Sequence, residues 1–167
     1  MTAYHAEASE LDGKEILTWA GFGDASRELA AHVAASLFRP DVIVAVARGG
    51  LVVAGALAYA LGVKLADAMN VEFYTDVATT LPDPVLLAPL LDIESIAGRR
   101  VLVADDVADS GRTMQLVIEI LVANGAEVRT AVLYTKPTSV FRVDFAWKQT
   151  DAWIVFPWSA LPPVTAG

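Results

Sequence analysis

The chain has 167 residues, with 20 acidic against 12 basic side chains, a net charge of −8, and 55% hydrophobic residues. That length suits one domain with a sizeable core, and the lack of any cysteine excludes disulfides and thiolate metal sites. No Lys/Arg block exists, which argues against a nucleic-acid surface, and Pro, Gly or charge interrupts every apolar run before it reaches membrane-spanning length.

Met1–Gly13 reads as a loose lead-in. MTAYHAEASE has no basic region followed by an apolar one, so no secretory leader is expected. Glu15–Trp19 is a short strand candidate. Gly21-Phe22-Gly23 punctuates the chain, and Asp24 or Ser26 is expected to cap a helix to about Leu37. Leu29, Val33 and Leu37, with Ala30 and Ala34, share its apolar face, which predicts core packing. His32, mid-helix, is expected at the solvent or the core edge, outside any catalytic role. Beyond Pro40, Val42–Val46 is an unbroken apolar run, the pattern of a strand buried on both faces. It ends in Ala47-Arg48-Gly49-Gly50, and a second helix is predicted from about Leu51 to Leu61, closed by Gly62. A cation with two glycines at a strand's carboxyl end suits an anion.

A third strand is predicted over about Ala68–Phe73. Thr75–Pro89 then breaks the pattern, with three prolines and the apolar patch Val85-Leu86-Leu87. A connection of that length inside a compact domain is usually functional or disordered. It reads either as part of the site or as a surface loop whose patch packs at a subunit contact.

The chain is organised around Val101–Thr113, VLVADDVADSGRT. Four apolar residues run into Asp105 and Asp106, predicting a buried strand with two carboxylates at its carboxyl end. From Met114 the period turns helical, with Val117, Ile118, Leu121 and Val122 on one face. Asp109–Thr113 is then the turn into the helix, and ligands of open α/β sheets bind at such edges. The first helix amides suit a phosphate, Ser110 and Thr113 add hydroxyls, and Gly111 lets the backbone approach closely. The acids can accept from vicinal hydroxyls or hold a divalent cation, so a sugar phosphate fits the segment. The bland alternative is solvated acids with Asp109 or Ser110 as helix cap. Asn124-Gly125 ends that helix. Glu127–Tyr134 is a fifth strand, leading to Thr135-Lys136-Pro137, and Phe145–Trp147 is a further short one. The tail Asp151–Trp158 is rich in aromatics and could simply close the core.

VLVADDVADSGRT closely resembles the 5-phosphoribosyl-1-pyrophosphate (PRPP) signature of the type I phosphoribosyltransferases. ARGGLVVAG resembles the pyrophosphate loop of their bacterial xanthine-guanine branch, and Lys136-Pro137 and Trp153-Ile154 toward Pro157-Trp158 resemble its base site. The resemblance implies an α/β fold: a central parallel sheet flanked by helices, with a small hood from the terminal segments and a mobile flap at about 74–90, in a single domain spanning 1–167. It implies transfer of 5-phosphoribose from PRPP to guanine, xanthine or hypoxanthine in purine salvage. Asp109 would be the general base. PRPP would be held by Asp105, Asp106, Ala108 and Asp109, with Ser110, Gly111, Arg112 and Thr113 on its 5′-phosphate. Arg48 and Gly49 would bind pyrophosphate, and Lys136, Trp153 and Ile154 the base. Mg²⁺ is the implied cofactor, held by Asp105 and Asp106 directly or through water. A cytoplasmic homodimer or homotetramer is implied, with neither nucleic acid nor membrane as partner. In that family the peptide joining the residues at Arg48 and Gly49 can be cis. The chain departs from the family where acids flank the Pro-Trp pair, since Val155, Phe156 and Ser159 stand here. Two alternative readings are a PRPP-binding regulator without turnover and a phosphoribosyltransferase for a non-purine acceptor.

Overall fold

A computed structural model describes residues 12–72, 75–76, 79–80, 85–86 and 93–164. In chain order the elements are β1 (Glu15–Ile16), α1 (Trp19–Ala35), β2 (Val42–Ala47), α2 (Gly49–Leu61), β3 (Leu65–Glu72), β4 (Thr75–Asp76), β5 (Thr79–Thr80) and β6 (Val85–Leu86). A 3-10 turn at Ile93–Ile96 precedes β7 (Arg100–Ala108), α3 (Arg112–Ala123), β8 (Glu127–Thr135), β9 (Phe145–Gln149) and β10 (Ile154–Val155).

The main sheet has the order β6-β3-β2-β7-β8-β9. Its five strands from β3 to β9 run parallel, and β6 is antiparallel on the β3 edge. Apolar residues alternate between two cores. Ile43, Leu102 and Leu133 face α1 and α2, where Leu29, Val33, Val53 and Leu57 are buried. Val44, Val103 and Val132 face α3, meeting Val117 and Leu121. Helices cover both faces, so the central strands read as continuous hydrophobic runs. The terminal segments meet in a parallel pair, β1 with β10.

Several predicted bounds move. The first helix starts at Trp19, capped by Thr18, whose Oγ accepts from the Gly21 amide at 3.0 Å. Gly21 and Gly23 therefore lie inside the helix, and Phe22 joins its buried face. Neither Asp24 nor Ser26 is the cap. Leu37, expected on that face, lies beyond the helix end with φ 65° and is 79% exposed, and Ala34 and His32 are exposed too. The second helix begins at Gly49, two residues before Leu51, and β3 begins at Leu65. Most of the expected flap at 74–90 lies outside the described residues. Within it, β4 and β5 pair with each other and β6 with β3.

Candidate active site

The site forms where β2 parts from β7. Pairing of β7 with β2 ends at Ala104, whereas pairing with β8 persists to Ala108. Asp105 and Asp106 consequently lie in the last four residues of β7, at the carboxyl end where the sequence placed them, and β8 keeps them in the ladder. On the side that β2 vacates, the chain turns through Arg48 into α2. A Cβ at Gly50 would overlap the Ala104 carbonyl and lie 3.2 Å from the Asp105 Cα. One at Gly49 would lie 2.8 Å from Asp106 Oδ1 and closer still to the rest of the carboxyl. The glycines let the loop rest directly on the acid pair. The cis peptide joins Ala47 to Arg48, one residue earlier than expected. The Arg48 side chain is exposed.

The two acids are half-buried and interact. Asp105 Oδ1 accepts from the Asp106 amide at 2.8 Å. Burial, reinforced by the Asp106 charge, pushes Asp105 well above its ordinary 3.8, although the Asp106 and Gly50 amides pull the other way. Burial also raises Asp106, opposed by the Val107 amide and by a hydrogen bond from the Trp158 indole. The pair therefore favours a ligand that brings positive charge or hydroxyl donors. Among the described residues no group of three or more His, Cys, Asp or Glu could hold a metal. A divalent cation here would take one or two carboxylates and complete its shell from water or substrate oxygens, which suits Mg²⁺.

Next to the pair, Asp105, Ala108, Asp109, Ser110, Gly111 and Thr113 are among the residues lining a cavity of about 160 Å³. Gly111 is the α3 N-cap at φ 80°, with no side-chain cap bond. Neither Asp109 nor Ser110 caps the helix, apart from a long 3.4 Å contact from the Arg112 amide to Ser110 Oγ. The helix start is thus open toward the cavity, with the geometry of an anion site. Gly111 is also pressed against the following loop, since a Cβ there would lie 2.6 Å from the Phe141 Cβ and 2.7 Å from Ser139 Oγ. The Ser110 carbonyl accepts from the Val140 amide at 3.1 Å. Arg112 is exposed and does not line this cavity.

Lys136 follows β8, and its amide donates to the Ala108 carbonyl at 3.1 Å. Its half-buried ammonium donates to the Ala152 carbonyl, so it lies one residue from Trp153. Trp153 is 74% exposed, whereas Ile154 is buried, so the Ile154 side chain belongs to the core and only its backbone is left for a ligand. The β1 edge fixes this segment: the Glu15 amide donates to the Trp153 carbonyl at 2.9 Å and the Leu17 amide to that of Val155 at 3.0 Å. Phe156 and Trp158 stack at 4.9 Å, and Trp158 meets Trp19 and Phe22 from α1. The sequence carried no signal for the Trp158–Asp106 bond, which joins residues 52 positions apart.

Residues 12–162 match the family model of the phosphoribosyl transferase domain. The chain belongs to the phosphoribosyltransferase family. It is 32% identical over 122 residues to the xanthine-guanine phosphoribosyltransferase of Gluconobacter oxydans (strain 621H), covering 72% of this chain and 69% of that protein. To the enzyme of the same name from Idiomarina loihiensis it is 32% identical over 146 residues, covering 86% and 85%. The crystal structure of purine phosphoribosyltransferase from Pyrococcus horikoshii Ot3 superposes with a TM-score of 0.78 at 35% identity, covering 92% of this chain and 99% of that one. The parallel sheet flanked by helices is thus the phosphoribosyltransferase fold. No described helix is long and apolar enough to cross a membrane.

Proposed function

We propose that this phosphoribosyltransferase moves the 5-phosphoribosyl group of PRPP to a ring nitrogen of a 6-oxopurine (guanine, xanthine or hypoxanthine). The products are a purine nucleotide and pyrophosphate, a purine-salvage step. The bond from the anomeric carbon to the pyrophosphate oxygen breaks, a bond from that carbon to the purine nitrogen forms, and the proton on that nitrogen leaves. The observation that carries the reading is the contact of two unlike anion-binding elements: the Gly49 loop rests on Asp106, while Asp105 also lines the cavity before α3. A sugar carrying a phosphate at one end and a pyrophosphate at the other matches that pair.

In this reading the α3 amides with Ser110 and Thr113 hold the 5′-phosphate. Asp105 and Asp106 accept from the ribose hydroxyls, and Arg48 with the Gly49 backbone takes the pyrophosphate. The transition state gathers positive charge on the sugar, so the half-buried carboxylates stabilise it electrostatically. Asp109 accepts the proton of the attacking nitrogen. Lys136 has three donors and gives one to the Ala152 carbonyl, leaving two for the purine oxo group. Trp153 offers its exposed face as a platform for the ring. Mg²⁺, when held by Asp105 and Asp106 together with substrate oxygens, would supply Lewis-acid neutralisation of the leaving group. We take the whole chain as one domain whose hood is the β1–β10 pair, acting in the cytoplasm as a homodimer or homotetramer.

The test is pyrophosphate release from PRPP with guanine, xanthine and hypoxanthine in turn, on the native chain and on Asp109→Asn. We expect turnover with at least one base, and a fall in kcat of about 10²–10⁴ in the variant with PRPP affinity little changed. Full activity in Asp109→Asn would remove the general-base assignment. Tight PRPP binding without turnover on any base would make the protein a PRPP sensor.

A further inference from the structure

We infer that Glu15 is a positioning residue for the purine platform: held by Tyr134 and Lys148, it fixes β1 on the main sheet, and β1 fixes the backbone of Trp153. This rests on the base-site reading above and names what aims the ring within it. Trp153 is 74% exposed, so its side chain has little packing to hold it. Stacking on a base needs the ring in one place. Its orientation then comes from the backbone that carries it.

Three carbonyls of that backbone are held. Ala152 accepts from the Lys136 ammonium. Trp153 accepts from the Glu15 amide at 2.9 Å, and Val155 from the Leu17 amide at 3.0 Å. Leu17 is secured by the core, at 2% exposure. Glu15 is only half-buried, and β1 and β10 are two residues each, too short a pair to hold by itself. The Glu15 side chain supplies the anchor. Its Oε1 accepts from the Lys148 ammonium at 2.6 Å and from the Tyr134 hydroxyl at 3.3 Å.

The sheet presents these donors together. Tyr134 and Lys148 are register partners on β8 and β9, so their side chains share a face. Lys136 lies two residues beyond Tyr134, with the same parity. One margin of the sheet thus grips the Trp153 segment twice, directly through Lys136 and by way of Glu15 through β1. The Glu15 grip is stiff. Tyr134 is fully buried and meets Trp147 and Phe156 edge-on at 5.4 and 5.9 Å, which gives its hydroxyl a fixed place. Burial and the Glu15 charge hold the phenol above its ordinary value, so it stays a proton donor. An ion pair as exposed as Glu15–Lys148 adds little to global stability. What it contributes is the placement of Trp153.

The test is steady-state kinetics of the full chain with whichever of guanine, xanthine or hypoxanthine it accepts. Calorimetry with the corresponding nucleoside monophosphate, which needs no turnover, runs beside it. Trp153→Ala sets the scale, a loss of roughly 5- to 150-fold in purine affinity. Glu15→Ala should raise the purine KM and the nucleotide Kd by about 10-fold, within that range, with kcat and the affinities for PRPP and pyrophosphate little changed. Lys148→Met should act in the same direction. Glu15→Gln keeps an acceptor for both donors and should recover most of the loss. In a Trp153→Ala background Glu15→Ala should cost nothing further. Arg129→Ala breaks an equally short ion pair of β8, with Asp144 at 2.6 Å, and should leave the purine values native. An equal loss of PRPP affinity in Glu15→Ala, additivity with Trp153→Ala, or the same purine loss in Arg129→Ala would overturn the positioning role. A native chain that binds neither purine nor nucleotide overturns the base-site reading and this inference with it. One that binds them while Glu15→Ala leaves affinity unchanged overturns only the role of Glu15.

Discussion

Gly49→Ala isolates the contact between the Arg48 loop and the acid pair. The added methyl would stand 2.8 Å from Asp106 Oδ1 and nearer to its Cγ and Oδ2, so the whole carboxyl must turn aside. Moving a side chain about 30° off its rotamer costs roughly 0.5–1.5 kcal/mol. Alanine regains about 0.4–1 kcal/mol by restricting the unfolded chain. The two nearly cancel, and Tm should move by only a few degrees. Ligand binding should suffer more. A hydrogen bond to a charged group contributes about 1.5–3 kcal/mol, so displacing Asp106 from a ribose hydroxyl should raise the PRPP Kd about 10- to 150-fold. Calorimetry with PRPP, and separately with pyrophosphate, reads this directly. Pyrophosphate affinity should hold, because the methyl displaces Asp106 and leaves the loop amides in place. In an Asp106→Ala background the same methyl meets no carboxyl, so the two substitutions should be strongly non-additive. Unchanged PRPP affinity, simple additivity, or an equal loss of pyrophosphate would each refute the argument.

Two further outcomes follow from the same site. Burial and the Asp106 charge raise Asp105 well above its ordinary 3.8, so the folded protein keeps a proton that the unfolded chain has released. Stability therefore falls as pH rises from the ordinary carboxylate value through the raised one. Asp105→Asn removes a penalty of about 1–3 kcal/mol and should raise Tm by several degrees at about pH 8, with the gain fading toward about pH 4; a gain independent of pH in calorimetry would contradict this. Trp153→Ala should weaken purine binding by about 1–3 kcal/mol while leaving Tm unchanged, since the ring is 74% exposed; a lowered Tm with unaltered purine affinity would make the ring structural.

What could be read from the chain, and what could not, divides by sequence separation. Val42–Val46 and Val101–Ala104 were legible as doubly buried strands because an unbroken apolar run is a local signal. Asp109–Thr113 was legible as a turn into a helix for the same reason. The place of the acid pair at the carboxyl end of β7 was legible as well, but the parting of β2 from β7 at that point while β8 stays paired was not, because both partners lie more than 20 residues away. The start of α1 was misread for a different reason. Gly21 and Gly23 look like punctuation, yet Thr18 caps the helix three residues earlier and the buried Phe22 holds both glycines within it. Lys136 and Trp153 were each picked out singly, but their link through Ala152 closes only when β8 and β10 have both been placed.

These long-range contacts also explain how two adjacent acids can be kept half-buried beside the glycine loop. Two adjacent carboxylates removed from water raise each other's cost, and only a partner bringing cations or hydroxyls offsets it. The fold supplies part of the compensation from far along the chain: the Gly50 amide to Asp105 and the Trp158 indole to Asp106. Both carboxyls nevertheless remain raised, so this compensation is incomplete and the remainder is left for the ligand. Trp158 is anchored in turn by Trp19, Phe22 and Phe156, so the aromatic tail has a task besides closing the core. Where the resembled family sets acids beside Pro-Trp, this chain sets Val155, Phe156 and Ser159. Of these, Phe156 is buried against the Trp158 ring. The Phe156 packing holds an indole donor on Asp106, and the position of that carboxylate then depends on the aromatic cluster.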